Sequence, residues 1–118
     1  MEVTVTDLQA NPKVKVARLT GRLDTTTSGA ASQKMMAALA QCEAGLILDF
    51  AGMDFMSSAG ISALLNLRQQ AQAAGKPIAI IRSHPAIYKI FKITALDALF
   101  KFFEDETEAV QTLWPTAK

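Results

Sequence analysis

Two adjacent serines lie at a junction in the chain where a hydroxyl group could do chemistry. Ser57 and Ser58 follow an apolar run that is typical of a buried strand, and Gly60 comes just after them at the start of an amphipathic run. Three roles fit this junction: a nucleophile, a helix cap, and a hydroxyl that another protein modifies. These roles require different neighbours, so the rest of the sequence can be used to choose among them.

A serine nucleophile needs a tight turn and a base, and the sequence offers only part of each. The hydrolase elbow has a glycine two residues before and two residues after its serine. Relative to Ser58, Gly60 fills the second place but Met56 fills the first. The sole histidine, His84, precedes Pro85 at a predicted helix start, where a loop or capping role is commoner than that of a base. Serine hydrolysis is therefore disfavoured, and we do not expect an enzyme.

Other catalytic and cofactor sites lack their motifs. Neither a Walker-type lysine motif nor a Gly-x-Gly-x-x-Gly pattern occurs, so phosphate cradling is not indicated. Cys42 is the single cysteine, which excludes an internal disulfide and a multi-thiolate metal site. We predict that Cys42 is a small buried side chain on a helix, and we expect no cofactor and no metal.

Length and composition are those of one ordinary domain. The chain has 118 residues, and 50% of them are hydrophobic, which is enough for a single core. The formal net charge of +1 gives little attraction to nucleic acid or anionic lipid. The start of the chain has acidic residues and alternating polar and apolar residues, unlike a secretory signal. No segment approaches the roughly 20 consecutive apolar residues of a membrane span. We expect a cytoplasmic protein with no nucleic-acid partner and no membrane insertion.

Hydrophobic patterning divides the chain into strands and helices. Alternation at 3–6 and 14–21 around a turn at Asn11-Pro12 predicts an antiparallel hairpin. Apolar runs predict strands at 46–50, 78–81 and 100–103. Helical spacing extends from Ala31 to Cys42, from Ser58 to Ala74, over a short helix that Ser83-His84-Pro85 opens, and from Thr107 to Trp114. We therefore predict an α/β domain with a mixed, mostly parallel sheet of four to five strands and about four helices.

Parallel strands place their outgoing loops at one edge of the sheet, where binding sites usually form. Three predicted loops meet this condition, at 21–27, 53–59 and 82–85, and the serine pair lies in the second. The helix after it carries an uncharged polar stripe, because an advance of about 100° per residue brings three polar residues close to Ser58. These residues are Ser62, Asn66 and Gln69. Such a stripe is either a solvated helix face or a docking surface that is cheap to desolvate.

Three segments in order resemble the signatures of a known family. Residues Arg18 to Asp24, Leu46 to Phe50 and Met53 to Ile61 are similar to successive motifs of the STAS domain, specifically of bacterial anti-sigma-factor antagonists. The resemblance extends over nearly the whole chain, so residues 1–118 are expected to form one STAS domain. It implies a small mixed sheet with helices mainly on one face.

The resemblance also implies a function. Family members act in partner switching: the unphosphorylated form binds an anti-sigma factor that is also a serine kinase, and phosphorylation of one serine ends the binding. A separate PP2C-type phosphatase then resets the protein. A second class within the family is a STAS adaptor without phosphorylation, such as a subunit of a lipid-transport ABC complex, in which the same edge docks an ATPase.

The family motif assigns roles to individual positions. The acceptor serine lies two residues before the motif glycine, which places phosphorylation on Ser58. Ser57 stands where the best-known members have aspartate, and Ala59 where serine or threonine is common. Asp24 matches an aspartate near the acceptor, although an N-terminal cap of the first helix is an equally good role on propensity. The expected partner-binding residues are Asp24, Thr25, Ser57, Gly60, Ser62 and Asn66.

Overall fold

A computed structural model describes residues 1–9 and 11–115 and shows a five-stranded sheet with helices on both faces. The strands are β1 (Glu2–Leu8), β2 (Asn11–Leu23), β3 (Gly45–Met56), β4 (Ile78–Ile81) and β5 (Lys101–Phe103). The helices are α1 (Ser28–Gln41), α2 (Ser58–Ala74), α3 (Pro85–Ile93) and α4 (Glu106–Leu113), with a 3₁₀ turn at Leu96–Ala98. The spatial order is β1-β2-β3-β4-β5; β1 is antiparallel to β2, and the other pairs are parallel. The predicted mixed sheet with an N-terminal hairpin is confirmed.

The larger core lies between the sheet and the first three helices. Met35 of α1, Leu64 of α2 and Phe91 of α3 pack with Leu19 and Leu48 of the strands. Helical apolar spacing places these side chains on one face of each helix. Because β2, β3, β4 and β5 are parallel neighbours in chain order, right-handed crossovers put α1, α2 and α3 on the same side of the sheet. The helices therefore lie mainly on one face, as the family resemblance implies.

The smaller core lies on the second face, under α4. Val16 and Ile47 of the sheet pack with Ala109 and Trp114 of the C-terminal region. The indole Nε1 of Trp114 donates to the carbonyl oxygen of Ala44 at 2.8 Å, so its one polar group is satisfied. Trp114 therefore closes this smaller core. Across residues 1–9 and 11–115, no helix combines the length and apolar character that crossing a membrane requires.

Cys42 has the structural role that its position predicts. It is buried at the C-terminal cap of α1, with its Sγ 3.1 Å from the carbonyl oxygen of Leu39. Burial raises the pKa of the Cys42 thiol, which keeps it in the neutral form.

Strand β3 is longer than predicted because it contains two β-bulges. Its register with β2 shifts twice, and each shift leaves one extra residue on β3. The extra residues keep Phe50, Met53 and Met56 in the core at a spacing of three instead of two. The expected loop at 53–59 is therefore wrong: the strand continues to Met56, and Ser57 alone separates it from α2.

The turn predicted at Asn11-Pro12 is also misplaced. Both residues lie at the start of β2, and Asn11 pairs with Leu8 of β1. Proline is tolerated at the start of a strand, where its missing N–H interrupts the ladder least. The Oδ1 of Asn11 accepts a hydrogen bond from the N–H of Lys13 at 3.2 Å, which makes this end irregular.

Candidate docking site at the serine junction

The ends of β2 and β3 bring two loops together at one edge of the sheet. Leu23 and Met56, the last residues of the two strands, are paired in parallel register. The N–H of Ser57 donates to the carbonyl oxygen of Leu23 at 2.9 Å. The turn at 24–27 and the serine junction therefore begin side by side, as the parallel arrangement predicts.

The two serines have different positions at the start of α2. Ser57 is the N-cap, with extended backbone angles, and its hydroxyl oxygen accepts from the N–H of Gly60 at 3.5 Å. Ser58 is the first helical residue, and it is exposed. From the sequence either serine could be the cap; the structure assigns this role to Ser57. The hydroxyl of Ser58 is thus presented at the surface beside the positive end of the helix.

Gly60 allows α2 to approach the strand ends closely. A Cβ at this position would lie 2.8 Å from the carbonyl oxygen of Leu23 and 2.9 Å from the Cγ atoms of Leu23 and Met56. Gly60 is itself buried. Gly60 therefore positions the helix, and its expected place among the partner-binding residues stays a prediction.

Asp24 closes the turn that follows β2. Its Oδ1 accepts from the N–H and the hydroxyl of Thr26 at 3.0 and 2.8 Å, and from those of Thr27 at 3.2 and 3.2 Å. The N-cap of α1 is Thr27, which makes no side-chain cap bond. The alternative role of Asp24 as the cap of the first helix is therefore wrong, since the aspartate orders the preceding turn by an Asx-type arrangement.

These hydrogen bonds make the turn sensitive to acid. The hydroxyl of Thr26 is the main reason why the pKa of Asp24 lies below its ordinary value of 3.8. A carboxylate whose pKa is lowered on folding stabilises the fold above pH 3.8 and loses that contribution as the pH falls through its lower folded value.

We therefore expect Asp24→Asn to be less stable than the wild type at pH 7, with a difference that shrinks as the pH falls below 3.8. Urea unfolding of both proteins over a pH series measures it. A difference in unfolding free energy that is the same at all pH values would contradict this role of the carboxylate.

The polar stripe of α2 is exposed along its length. Ser58, Ser62, Asn66 and Gln69 are all accessible to solvent, and Ile61 beside them is half-buried. Of the other residues expected to contact a partner, Thr25 is exposed, whereas Asp24 and Ser57 are half-buried. The use of this helix face and of the adjacent edge of the sheet in docking remains a prediction.

The third predicted loop, at 82–85, does not reach the serine junction, because β4 ends at Ile81 opposite Asp49 whereas β3 continues to Met56. It is held by a buried carboxylate that pattern reasoning missed. Asp49 of β3 is 6% exposed, and its Oδ2 lies 3.2 Å from Arg82 Nη1 and 3.5 Å from Arg18 Nε. Arg82 follows β4 and has a positive φ of 55°. The signal in the sequence is an acid within the apolar run at 46–50, but nothing there identifies its partners.

His84 caps a helix, as its position before Pro85 predicts. Its Nδ1 accepts a hydrogen bond from the N–H of Ala86 at 3.1 Å, at the start of α3. Because this nitrogen already accepts a hydrogen bond from the backbone, it is not available as the base of a serine nucleophile. No group of three or more histidine, cysteine or acidic side chains within the described ranges could hold a metal ion.

A second missed feature is an aromatic side chain covered by a guanidinium group. The Cζ of Arg22 lies 4.0 Å from the ring centroid of Phe55, its partner in the β2–β3 register. The Nε of Arg22 is also 3.6 Å from Asp24 Oδ2. The bulge that sends Phe55 outward is not visible in the sequence, so no signal indicated this pair.

Comparison with known proteins agrees with the fold. The model of a family described as the STAS domain matches residues 6–109. An anti-sigma F factor antagonist of Paenibacillus polymyxa is 24% identical over 109 residues, covering 91% of this chain and 92% of the relative. The anti-sigma factor antagonist SpoIIAA in its unphosphorylated form has a TM-score of 0.78 at 20% identity, covering 99% of this chain and 100% of its own.

Two further solved structures have a similar fold. SpoIIAA of Bacillus in its phosphorylated form has a TM-score of 0.68 at 22% identity, covering 93% of this chain and 97% of its own. A murine solute carrier 26 anion transporter has a TM-score of 0.77 at 24% identity over 94% of this chain but only 21% of the transporter. Because the family model matches most of the residues, this chain belongs to the STAS domain family.

Proposed function

We propose that this chain is an anti-sigma-factor antagonist that works by partner switching. In its unphosphorylated form it binds an anti-sigma factor that is also a serine kinase, and phosphorylation of Ser58 releases that partner. The observation that carries the proposal is the different position of the two serines: Ser57 caps α2, and Ser58 is exposed at the first helical position. It functions as an interaction protein, not as an enzyme, and a PP2C-type phosphatase restores the binding form.

A phosphate on Ser58 is compatible with the folded domain. Phosphoserine adds about 1.5 to 2 negative charges at pH 7, and the free N–H groups and dipole at a helix N-terminus favour an anion there. Ser58 is exposed at that position in α2, so the phosphate has room and needs no desolvation. The free energy of folding should therefore change little on phosphorylation.

The same phosphate opposes docking. The stripe of Ser58, Ser62 and Asn66 carries no charge, so a partner that covers it desolvates only neutral groups. A phosphate at its end must be desolvated when a partner covers it, and the carboxylate of Asp24, paired with Arg22, lies on the adjacent turn. This difference between the cost to the fold and the cost to the complex is what makes a switch.

The likeness to known antagonists supports the proposal. The Paenibacillus polymyxa relative carries the name of an anti-sigma F factor antagonist, and SpoIIAA is described in both an unphosphorylated and a phosphorylated form. In this chain the position of Ser58 relative to Gly60 matches the family motif, while Ser57 departs from it. Because Ser57 is occupied as the cap, the departure leaves Ser58 as the accessible acceptor.

Phosphorylation of the protein tests the assignment. Capture with wild-type and Ser58→Asp bait from the native cell identifies an anti-sigma factor that binds the wild type alone, and this partner is then purified. Incubation with it and Mg-ATP, followed by mass-spectrometric mapping, is expected to show one phosphate on Ser58 and none in Ser58→Ala. Phosphate on Ser57 or on a threonine of the 25–27 turn would defeat the assignment.

A STAS adaptor without phosphorylation is the second candidate function. The fold likeness to a domain within an anion transporter is the observation that favours it. An adaptor would use the same edge to dock a transporter component, but its docking would not depend on a modification of Ser58. Recovery of transporter components by wild-type and Ser58→Asp bait alike, with no phosphate transfer, would favour the adaptor.

A further inference from the structure

The open face of the sheet beside the serine junction carries an exposed aromatic side chain. Phe55 is 38% exposed. Within the described residues, the other large hydrophobic side chains that are exposed are Ile93 and Leu99. Phe55 is two positions before Ser57, at the end of β3. Single exposed hydrophobic groups are common, so the surroundings of Phe55 decide whether it has a role.

A β-bulge sets the outward direction of this ring. Gly21 pairs with Met53, but the next residue of β2, Arg22, pairs with Phe55, so Asp54 is the extra residue of the bulge. Met53 therefore faces the core, whereas Phe55 faces the opposite side with Arg22. The bulge places an aromatic group outside the core at the edge where the serine junction lies.

Arg22 restrains the exposed ring. Its guanidinium carbon lies 4.0 Å from the centroid of Phe55, which is cation–π geometry. Its Nε is 3.6 Å from the Oδ2 of Asp24, whose Oδ1 is held by Thr26 and Thr27. The ring is thus linked through Arg22 to the ordered turn beside Ser57. The side chain of Arg22 is nevertheless 60% exposed, so part of the guanidinium group faces solvent.

We propose that Phe55, restrained by Arg22, is the apolar anchor of the surface that binds the anti-sigma factor, an inference that rests on the proposed function. Binding energy in protein interfaces is concentrated in aromatic and arginine side chains, and less is lost when they are already ordered. Phe55 and Arg22 supply both groups at one point, next to the turn of Asp24 and two residues before Ser57. The stripe then forms the switchable part of the interface, and the Phe55–Arg22 pair forms the part that is not modified.

The pair specifies the chemistry of the partner. The ring requires an apolar pocket, and the solvent-facing edge of the guanidinium requires a carboxylate at the rim of that pocket. On the anti-sigma factor, the complementary surface is therefore an apolar depression bordered by aspartate or glutamate. A neutral or basic rim would give the solvent-facing part of Arg22 no anionic partner beyond Asp24 and would weaken the contact.

Affinity measurements with the purified anti-sigma factor, unphosphorylated chain and no ATP test this inference. Phe55→Ala is expected to weaken binding at least about thirtyfold, the loss typical of an interface hot spot. Ile93→Ala removes a large side chain that is 73% exposed at the end of α3, away from the serine junction, and is expected to bind within about twofold of the wild type. Arg22→Gln should weaken binding about tenfold, since it removes both the restraint on the ring and the charge.

The variants also separate this inference from the proposed function. Thermal unfolding checks that each is folded, and Phe55→Thr, which suits a strand but removes the apolar bulk, replaces Phe55→Ala if the alanine variant is not. Phe55→Ala or Phe55→Thr that binds within threefold of the wild type overturns the inference, while loss of binding in Ser58→Asp in the same assay leaves the proposed function intact. A wild-type chain that binds no anti-sigma factor overturns both.

Discussion

Replacing Ser58 with aspartate is expected to weaken binding of the anti-sigma factor at least about a hundredfold and to leave the domain folded. A carboxylate at the first position of α2 meets the positive end of the helix, so the free energy of unfolding should stay the same or rise by about 0.3–1 kcal/mol. In the complex the partner covers the same charge and removes its water, next to the turn that carries Asp24, and this is expected to cost about 3 kcal/mol or more.

Two further substitutions at the same position separate charge from size. Ser58→Asn has nearly the shape of the aspartate without its charge, and it is expected to lose much less affinity. Ser58→Ala should bind as the wild type does, because Ser57 and not Ser58 makes the cap hydrogen bond to Gly60. Isothermal titration with the purified partner gives the affinities, and urea unfolding gives the stabilities.

Either of two results would count against the switch. If aspartate and asparagine weaken binding equally, the surface rejects size and not charge, and phosphorylation would not act by the mechanism described above. If Ser58→Asp unfolds the domain, a negative charge at the start of α2 destabilises the fold itself. Phosphorylation could then not weaken the complex while leaving the domain folded.

Much of the architecture followed from local patterns. The bounds of α2 were predictable because apolar spacing begins at Ser58 and a glycine in the left-handed conformation, Gly75, ends the helix before Pro77. The short apolar run at 78–81 and the helix after Pro85 were predictable for similar reasons. Once the strands are parallel, the meeting of the serine junction with the turn at Asp24 follows from topology.

The features that escaped prediction depend on contacts between distant parts of the chain. Strand prediction uses a period of two, and the two bulges of β3 replace it with a spacing of three at Phe50, Met53 and Met56. The apparent loop was therefore strand, and the outward position of Phe55 was hidden. Asp49 raises the same difficulty, since its cationic partners, Arg18 and Arg82, lie on other strands or beyond them.

The choice between Ser57 and Ser58 shows the limit of local reasoning at the site itself. Both residues have the side chain that helix caps prefer, and a helix boundary shifted by one residue would exchange their roles. The extended backbone of Ser57 and its bond to the N–H of Gly60 settle the structural role of that residue. The family motif, which counts from the same glycine, is the reason why we propose the modification on the other serine.

Gly60 is the residue on which the geometry of the junction depends, and Gly60→Ala is expected to lower the unfolding free energy by about 2 kcal/mol. Alanine is favoured over glycine in a helix by up to about 1 kcal/mol, but its Cβ would lie 2.8 Å from the carbonyl oxygen of Leu23. That oxygen belongs to the backbone and accepts a hydrogen bond from the N–H of Ser57, so it cannot move away from the added Cβ. The overpacking therefore outweighs the gain in helix propensity.

Gly29 provides the matched control, because it lies in the first turn of α1 and a Cβ there would meet nothing within 4 Å. Gly29→Ala should stabilise the protein by about 0.5–1 kcal/mol, the ordinary effect of this change in a helix. Urea unfolding compares the two variants, and equal effects would show that α2 can move away from Leu23 at no cost. In that event the position of Ser58 would not be fixed by Gly60. If instead Gly60→Ala is destabilised and, while still folded, binds the partner more weakly, the close approach of α2 to the strand ends sets where the Ser58 hydroxyl is presented.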